Sequence, residues 1–178
     1  MCQCHRLLML CVLVADLVGC EVSYTTVTGN RDYPSDYKKD AVYVLQQDVF
    51  LIPTGGPLGE EYYAAGPGKA LNLGPDSVAD YEANKTSWSK TYGVRLLRAG
   101  AKFRLVDLVL EKNPEAGHLL WAVGELVNTD TSIKGRVELD SISHYSFFGP
   151  TPYVYVDSDY LRLETAPAGD STTLPMHN

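Results

Sequence analysis

The sequence predicts a mainly β fold, a small antiparallel barrel or sandwich with one short helix. Three observations lead there. About six to eight short runs rich in Val, Leu, Ile, Phe and Tyr stand between turn-forming residues. Between Gly93 and Asn128 the gaps between them are of hairpin length, and only the stretch near Asp76 carries helix signals. With 178 residues, 45% hydrophobic and 21% charged, the chain is of ordinary globular composition and long enough to bury one core. Its 15 Lys+Arg against 22 Asp+Glu give a formal charge of −7. That balance argues against a nucleic-acid phosphate binder and against a polybasic membrane-surface helix, which both need positive fields.

Residues 41–45 (AVYVL) and 49–52 (VFLI) read as strands joined by Gln46, Gln47 and Asp48. Residues 55–74 are dense in glycine and proline and read as one long irregular loop. Residues 76–85 form the one expected helix: Ser77 can cap it, Asp80 holds the capping-box position, and Val78 and Tyr81 share a face. Next come 94–97, a turn at 98–100, 102–112 (KFRLVDLVLEK), a turn at 113–117 and 119–128 (LLWAVGELVN). These consecutive strands are expected to pair antiparallel. Strands at 136–139, 153–156 and 160–164 complete the set. Residues 20–40, polar and without lasting periodicity, read as a flexible tether, and 166–178 as a frayed tail, which leaves 41–165 as the β domain.

All four cysteines, Cys2, Cys4, Cys11 and Cys20, fall in the first twenty residues, so the expected body holds no disulfide framework, cysteine zinc cluster or thiol nucleophile. Arg6 precedes an apolar run at 7–15, which is too short to span a membrane and has the layout of an export signal. The following Leu17-Val18-Gly19-Cys20 resembles the lipobox of bacterial lipoproteins, with Asp16 as its one departure. The resemblance implies that 1–19 is a signal peptide and that Cys20 is lipidated. It implies a periplasm-facing protein of the cell envelope, anchored by its acyl chains to the inner or outer membrane.

Residues 93–143 are in turn similar to SH3-like small barrels of bacterial envelope proteins. The likeness rests on GVRLLRAGAKFRLVDLV, a strand and alanine-glycine turn before a longer strand, and on KGRVELDSIS, a lysine-glycine turn into a strand. The glycine-tryptophan-valine signature of common bacterial SH3 domains is absent. The resemblance implies a small antiparallel SH3-like barrel acting as a binding or assembly module.

His118 and His144 are the histidines of the expected body, and neither has the neighbours that a zinc site requires. Ser143 beside His144 suggests a serine–histidine pair, but no G-x-S-x-G elbow exposes a serine. The carboxylates of Asp157-Ser158-Asp159 fit a turn, and Glu60-Glu61 fit a solvated patch in the glycine-rich loop. Residues 54–70 lack the spacing of a phosphate cradle, and the Asn84-Lys85-Thr86 sequon is of a kind common by chance. No catalytic residue, metal or cofactor is expected.

Aromatics carry the strongest binding signal. Tyr145, Phe147, Phe148, Tyr153, Tyr155 and Tyr160 lie close together in sequence, and strand alternation puts Tyr153 and Tyr155 on one face and Val154 and Val156 on the other. Either they form a platform for sugar rings or partner side chains, or they tuck beneath the glycine-rich loop. Tyr145, Tyr153, Tyr155 and Tyr160 are therefore the candidate ligand residues. The expected partners are the membrane, through the lipid, and an envelope protein or peptidoglycan, with no nucleic acid. The rival expectations are a small periplasmic hydrolase using His144 and nearby acids, and a purely structural lipoprotein.

Overall fold

A computed structural model describes residues 21–69, 73–127, 133, 135–146 and 151–164. Cys20, the expected signal peptide at 1–19, the expected tail at 166–178, Phe147 and Phe148 lie outside the described residues. The chain is mainly β. Its elements are β1 Ser23–Thr26, β2 Val42–Leu45, β3 Val49–Pro53, β4 Glu60–Ala65, helix α1 Val78–Ala83, β5 Arg95–Leu97, β6 Lys102–Asn113, β7 Gly117–Val127, β8 Arg136–Glu138, β9 Ser143–Tyr145, β10 Val154–Val156 and β11 Leu161–Leu163. One sheet runs β11-β2-β6-β7-β8-β4-β3-β5, with β1 added to the far part of β6, while β9 and β10 pair by themselves. Among the described residues no helix is long and apolar enough to cross a membrane.

The ribbon β6–β7 is the spine, in register from Lys102 opposite Val127 to Asn113 opposite Gly117. A bulge between Leu105 and Asp107 resets the alternation, so that Phe103 and Leu105 before it and Leu108 and Leu110 after it all point to the same side. They pack there against Tyr43, Leu45, Leu51, Leu120, Ala122, Val137 and Leu139, all buried within the curl of the sheet. Each such side chain contributes about 1.5–3 kcal/mol of burial, which makes this cluster the main source of stability. The outer face has two smaller aprons. Helix α1 and the wide turn Ser87–Thr91 lay Tyr81 and Trp88 over Phe50, Ile52 and Val94, while Leu58 and Tyr24 cover Val109, Trp121 and Val123. The cap of α1 is as expected, with Ser77 Oγ accepting from the Asp80 N–H at 3.1 Å.

Four expectations need correction. Residues 21–40 are not a free tether: β1 pairs with β6 from Ser23–Lys112 to Thr26–Val109, and Val27 and Tyr37 are buried in the main core. Their polarity misleads because β1 lies along one strand only and leaves most of its side chains to solvent. Residues 55–74 are not one loop, since β4 forms inside them and joins β3 to β8, the latter in a parallel pair. Consecutive β5 and β6 do not pair; β5 crosses to β3 instead. Finally, Gly117 and His118 open β7 rather than sit in the preceding turn, with Gly117 taking the positive φ that ends it.

Candidate functional site

The pair β9–β10 sets Tyr145 opposite Val154, His144 opposite Tyr155 and Ser143 opposite Val156. Alternation then divides the residues between two sides. Val154 is fully buried and Ser143 nearly so, whereas Tyr153 and Tyr155 are 38% and 37% exposed, with rings 5.3 Å apart. The strand is held from its other edge, because the Val154 N–H donates to the Pro34 carbonyl at 3.2 Å and the Val156 N–H to Asp36 Oδ1 at 2.7 Å. The two rings thus stand on backbone fixed from both sides, so little order remains to be gained on binding.

The four candidate tyrosines do not share one surface. Tyr145 turns to the inner side with Val154 and packs on the main core. Tyr160 is buried beneath Gly66, where a Cβ would collide with its hydroxyl, and Lys69 Nζ stands 4.5 Å over its ring. Among the described residues Tyr160 is the candidate tyrosine that lies under the glycine-rich segment, and Tyr153 and Tyr155 are left outward beside His144.

Ser143 and His144 likewise part company. The Ser143 Oγ donates to the Leu139 carbonyl at 2.6 Å, so the hydroxyl of buried Tyr37 is the donor in its 2.7 Å bond to Ser143. Burial pushes the Tyr37 phenol up, which keeps that proton in place. His144 points outward, its side chain 66% exposed, with Nε2 3.7 Å from Asp157 Oδ1. Asp157 is buried and caps its own turn, accepting from the Asp159 N–H at 2.9 Å. The histidine and the acid approach one another, but the serine faces the opposite side of the strand.

A second group of ionisable residues lies on the outer face of the main sheet. Register places Glu138 between Val123 of β7 and Tyr63 of β4, and Arg136 between Glu125 and Glu60. Burial pushes the Glu138 carboxyl well above the ordinary carboxylate range, and the neighbouring Asp140, to which it hydrogen-bonds, adds to this. Burial raises Asp140 as well, against the opposing pull of its bonds to Glu138 and to the Ser141 N–H. The two carboxyls therefore share a proton at neutral pH. Burial, then the charges of Asp140 and Glu138, raise the phenols of Tyr63 and Tyr145. Arg136 Nη2 donates to Asp107 at 2.6 Å. Glu60 Oε2 accepts from the Leu58 N–H at 3.0 Å, whereas Glu60 Oε1, Trp121 Nε1 and Arg136 Nε are buried without a hydrogen-bond partner.

Sequence reasoning missed Glu138 and Asp140 and took Glu60 for a solvated side chain. The available signal was RVELDSI, where Val137 and Leu139 point inward and leave Glu138 outward. What covers that outward side comes from residues far away in the chain. Among the described residues no three His, Cys, Asp or Glu side chains gather into a metal site. Comparison with protein-family models, with curated proteins and with solved structures finds no match.

Proposed function

We propose that the chain is a binding module of the bacterial cell envelope, lipidated at Cys20, whose β domain presents Tyr153 and Tyr155 to cell-wall glycan. The observation that carries this is the tyrosine pair itself. Two rings 5.3 Å apart, more than a third exposed, stand on a strand pinned along both edges. Such a surface offers the apolar face of a sugar ring a large contact at small entropic cost, and the phenol hydroxyls remain available to its own hydroxyls. His144, directly across from Tyr155, supplies a further polar group at the rim. An SH3-like origin for the curled sheet and attachment to the inner or outer membrane belong to the same proposal, resting on the turn pattern of 93–143 and on Leu17-Val18-Gly19-Cys20. An envelope protein as partner would use the same rings.

A hydrolase built on His144 has the 3.7 Å approach of Asp157 in its favour. The inward turn of Ser143 counts against a serine nucleophile for it.

Titration with soluble peptidoglycan fragments, followed by NMR, tests the proposal. Binding should shift the ring signals of Tyr153 and Tyr155 and be lost in Tyr153→Ala/Tyr155→Ala. A double variant that stays folded and binds fragments as the wild type does would remove the proposal. Detergent partitioning of the wild type but not of Cys20→Ser tests the anchor.

A further inference from the structure

We infer that the outer face of β6–β7 beneath Leu58 is a binding site for a quaternary ammonium group, walled by Tyr24 and Trp121 and charge-balanced by Glu60. Tyr24 and Trp121 stand with ring centroids 5.9 Å apart and planes 57° from parallel, two walls of an angular aromatic corner. The electron-rich faces of such rings attract a cation, and indole does so best. Val109, Val123 and Leu119 complete an apolar surround, which suits methyl groups on nitrogen better than a strongly hydrated primary ammonium.

The negative charge is already in place. Glu60 is 2% exposed, its Oε1 is buried without a donor, and among the described residues no Lys, Arg or His nitrogen comes within 4 Å of it. Arg136, its register partner, is bonded to Asp107 instead. A buried carboxylate oxygen left in this state is costly unless a cation joins it. Register sets a second carboxylate, Glu111, directly across from Tyr24. The chain itself fills the corner: Leu58 packs against Val109, Trp121 and Val123 from the tip of the β3–β4 hairpin. That tip carries Gly55, Gly56 and Gly59, the last at φ +84, and Leu58 is tied to the site by its N–H bond to Glu60 Oε2. Leu58 is an apolar plug without charge, so a methylated ammonium that displaces it gains the Coulomb partner that Leu58 cannot supply.

The test is titration of the full chain with choline, followed through the indole Nε1–H resonance of Trp121, with Trp88→Phe removing the other indole signal. Choline should shift the Trp121 resonance saturably. Its neutral isostere 3,3-dimethyl-1-butanol should bind at least about tenfold more weakly, as should choline to Glu60→Gln. Leu58→Ala should bind choline several-fold more tightly. Equal binding of choline and the isostere, undiminished binding to Glu60→Gln, or no saturable shift in either the wild type or Leu58→Ala would overturn the inference. If Glu60→Gln loses cooperative melting, Tyr24→Leu takes its place: it should erase the preference for choline over the isostere, and an unchanged preference overturns the inference equally.

Discussion

The β9–β10 pair and the outer face of the main sheet are built from the same kinds of residue and reach opposite ends. Both bring aromatic rings next to ionisable groups: Tyr153, Tyr155 and His144 in one, Tyr24, Trp121, Glu60 and Glu138 in the other. On β10 the rings of Tyr153 and Tyr155 stay more than a third exposed among the described residues. Above β7 the β3–β4 hairpin comes down through Leu58, Trp121 is left 4% exposed, and on neighbouring β8 burial pushes the Glu138 carboxyl toward its neutral form. Alternation decides which side chains point outward. Whether outward means solvent is decided by segments remote in sequence.

The largest effect should follow from removing residues 21–40. The loss of the β1–β6 pairing and of buried Val27 and Tyr37 should exceed about 4 kcal/mol, from roughly 1.5–3 kcal/mol for each buried side chain plus the ladder. Urea denaturation should show 41–178 without a cooperative transition. A shortened chain that melted like the full one would make 21–40 a tether after all.

The covered face should next reveal itself through pH. Because the folded state holds the Glu138 proton more tightly than the unfolded chain does, stability contributed at low pH is lost as pH rises above the unfolded carboxylate value toward the raised folded one. The wild type should lose on the order of 2 kcal/mol between about pH 5 and pH 8. Glu138→Gln keeps a neutral donor toward Asp140 and should flatten the curve, as thermal melts across that range would show. A wild type that gains stability over the same range would contradict a buried shared proton.

Gly66→Ala probes the cover over Tyr160. A methyl group there meets the phenol hydroxyl, and the overpacking should cost about 1–2 kcal/mol, with Tyr160→Phe recovering part of it. If Gly66→Ala melts as the wild type does, Tyr160 has room to move and is no part of the core. Smallest is the open face, where Tyr153→Ala and Tyr155→Ala should each change stability by less than about 1 kcal/mol. A larger loss would mean that these rings are packed rather than presented.

The parts legible in sequence were those whose cause is local. The ribbon of KFRLVDLVLEK and LLWAVGELVN announces itself by alternation and by a hairpin-length turn, and Ser77 announces the start of α1 by its capping geometry. Tyr153 and Tyr155 were separable from Val154 and Val156 by period alone. Strand β4 was hidden because its glycine- and proline-rich flanks dominate the local signal, although Glu60–Ala65 pairs on both edges. Strand β1 was hidden because SYTT buries little of itself. The Glu138–Asp140 pair was out of reach for a different reason: a glutamate between inward-facing Val137 and Leu139 looks like any solvated outer position until the covering segments are placed.

We propose that the open tyrosine face, and not the covered one, meets the cell wall. Co-sedimentation with isolated peptidoglycan sacculi tests it most directly, comparing wild type, Tyr153→Ala/Tyr155→Ala and Leu58→Ala, each shown folded by thermal melting. The wild type and Leu58→Ala should pellet with the sacculi, and the double tyrosine variant should stay in the supernatant. Pelleting of the folded double variant to the same extent as the wild type would contradict it.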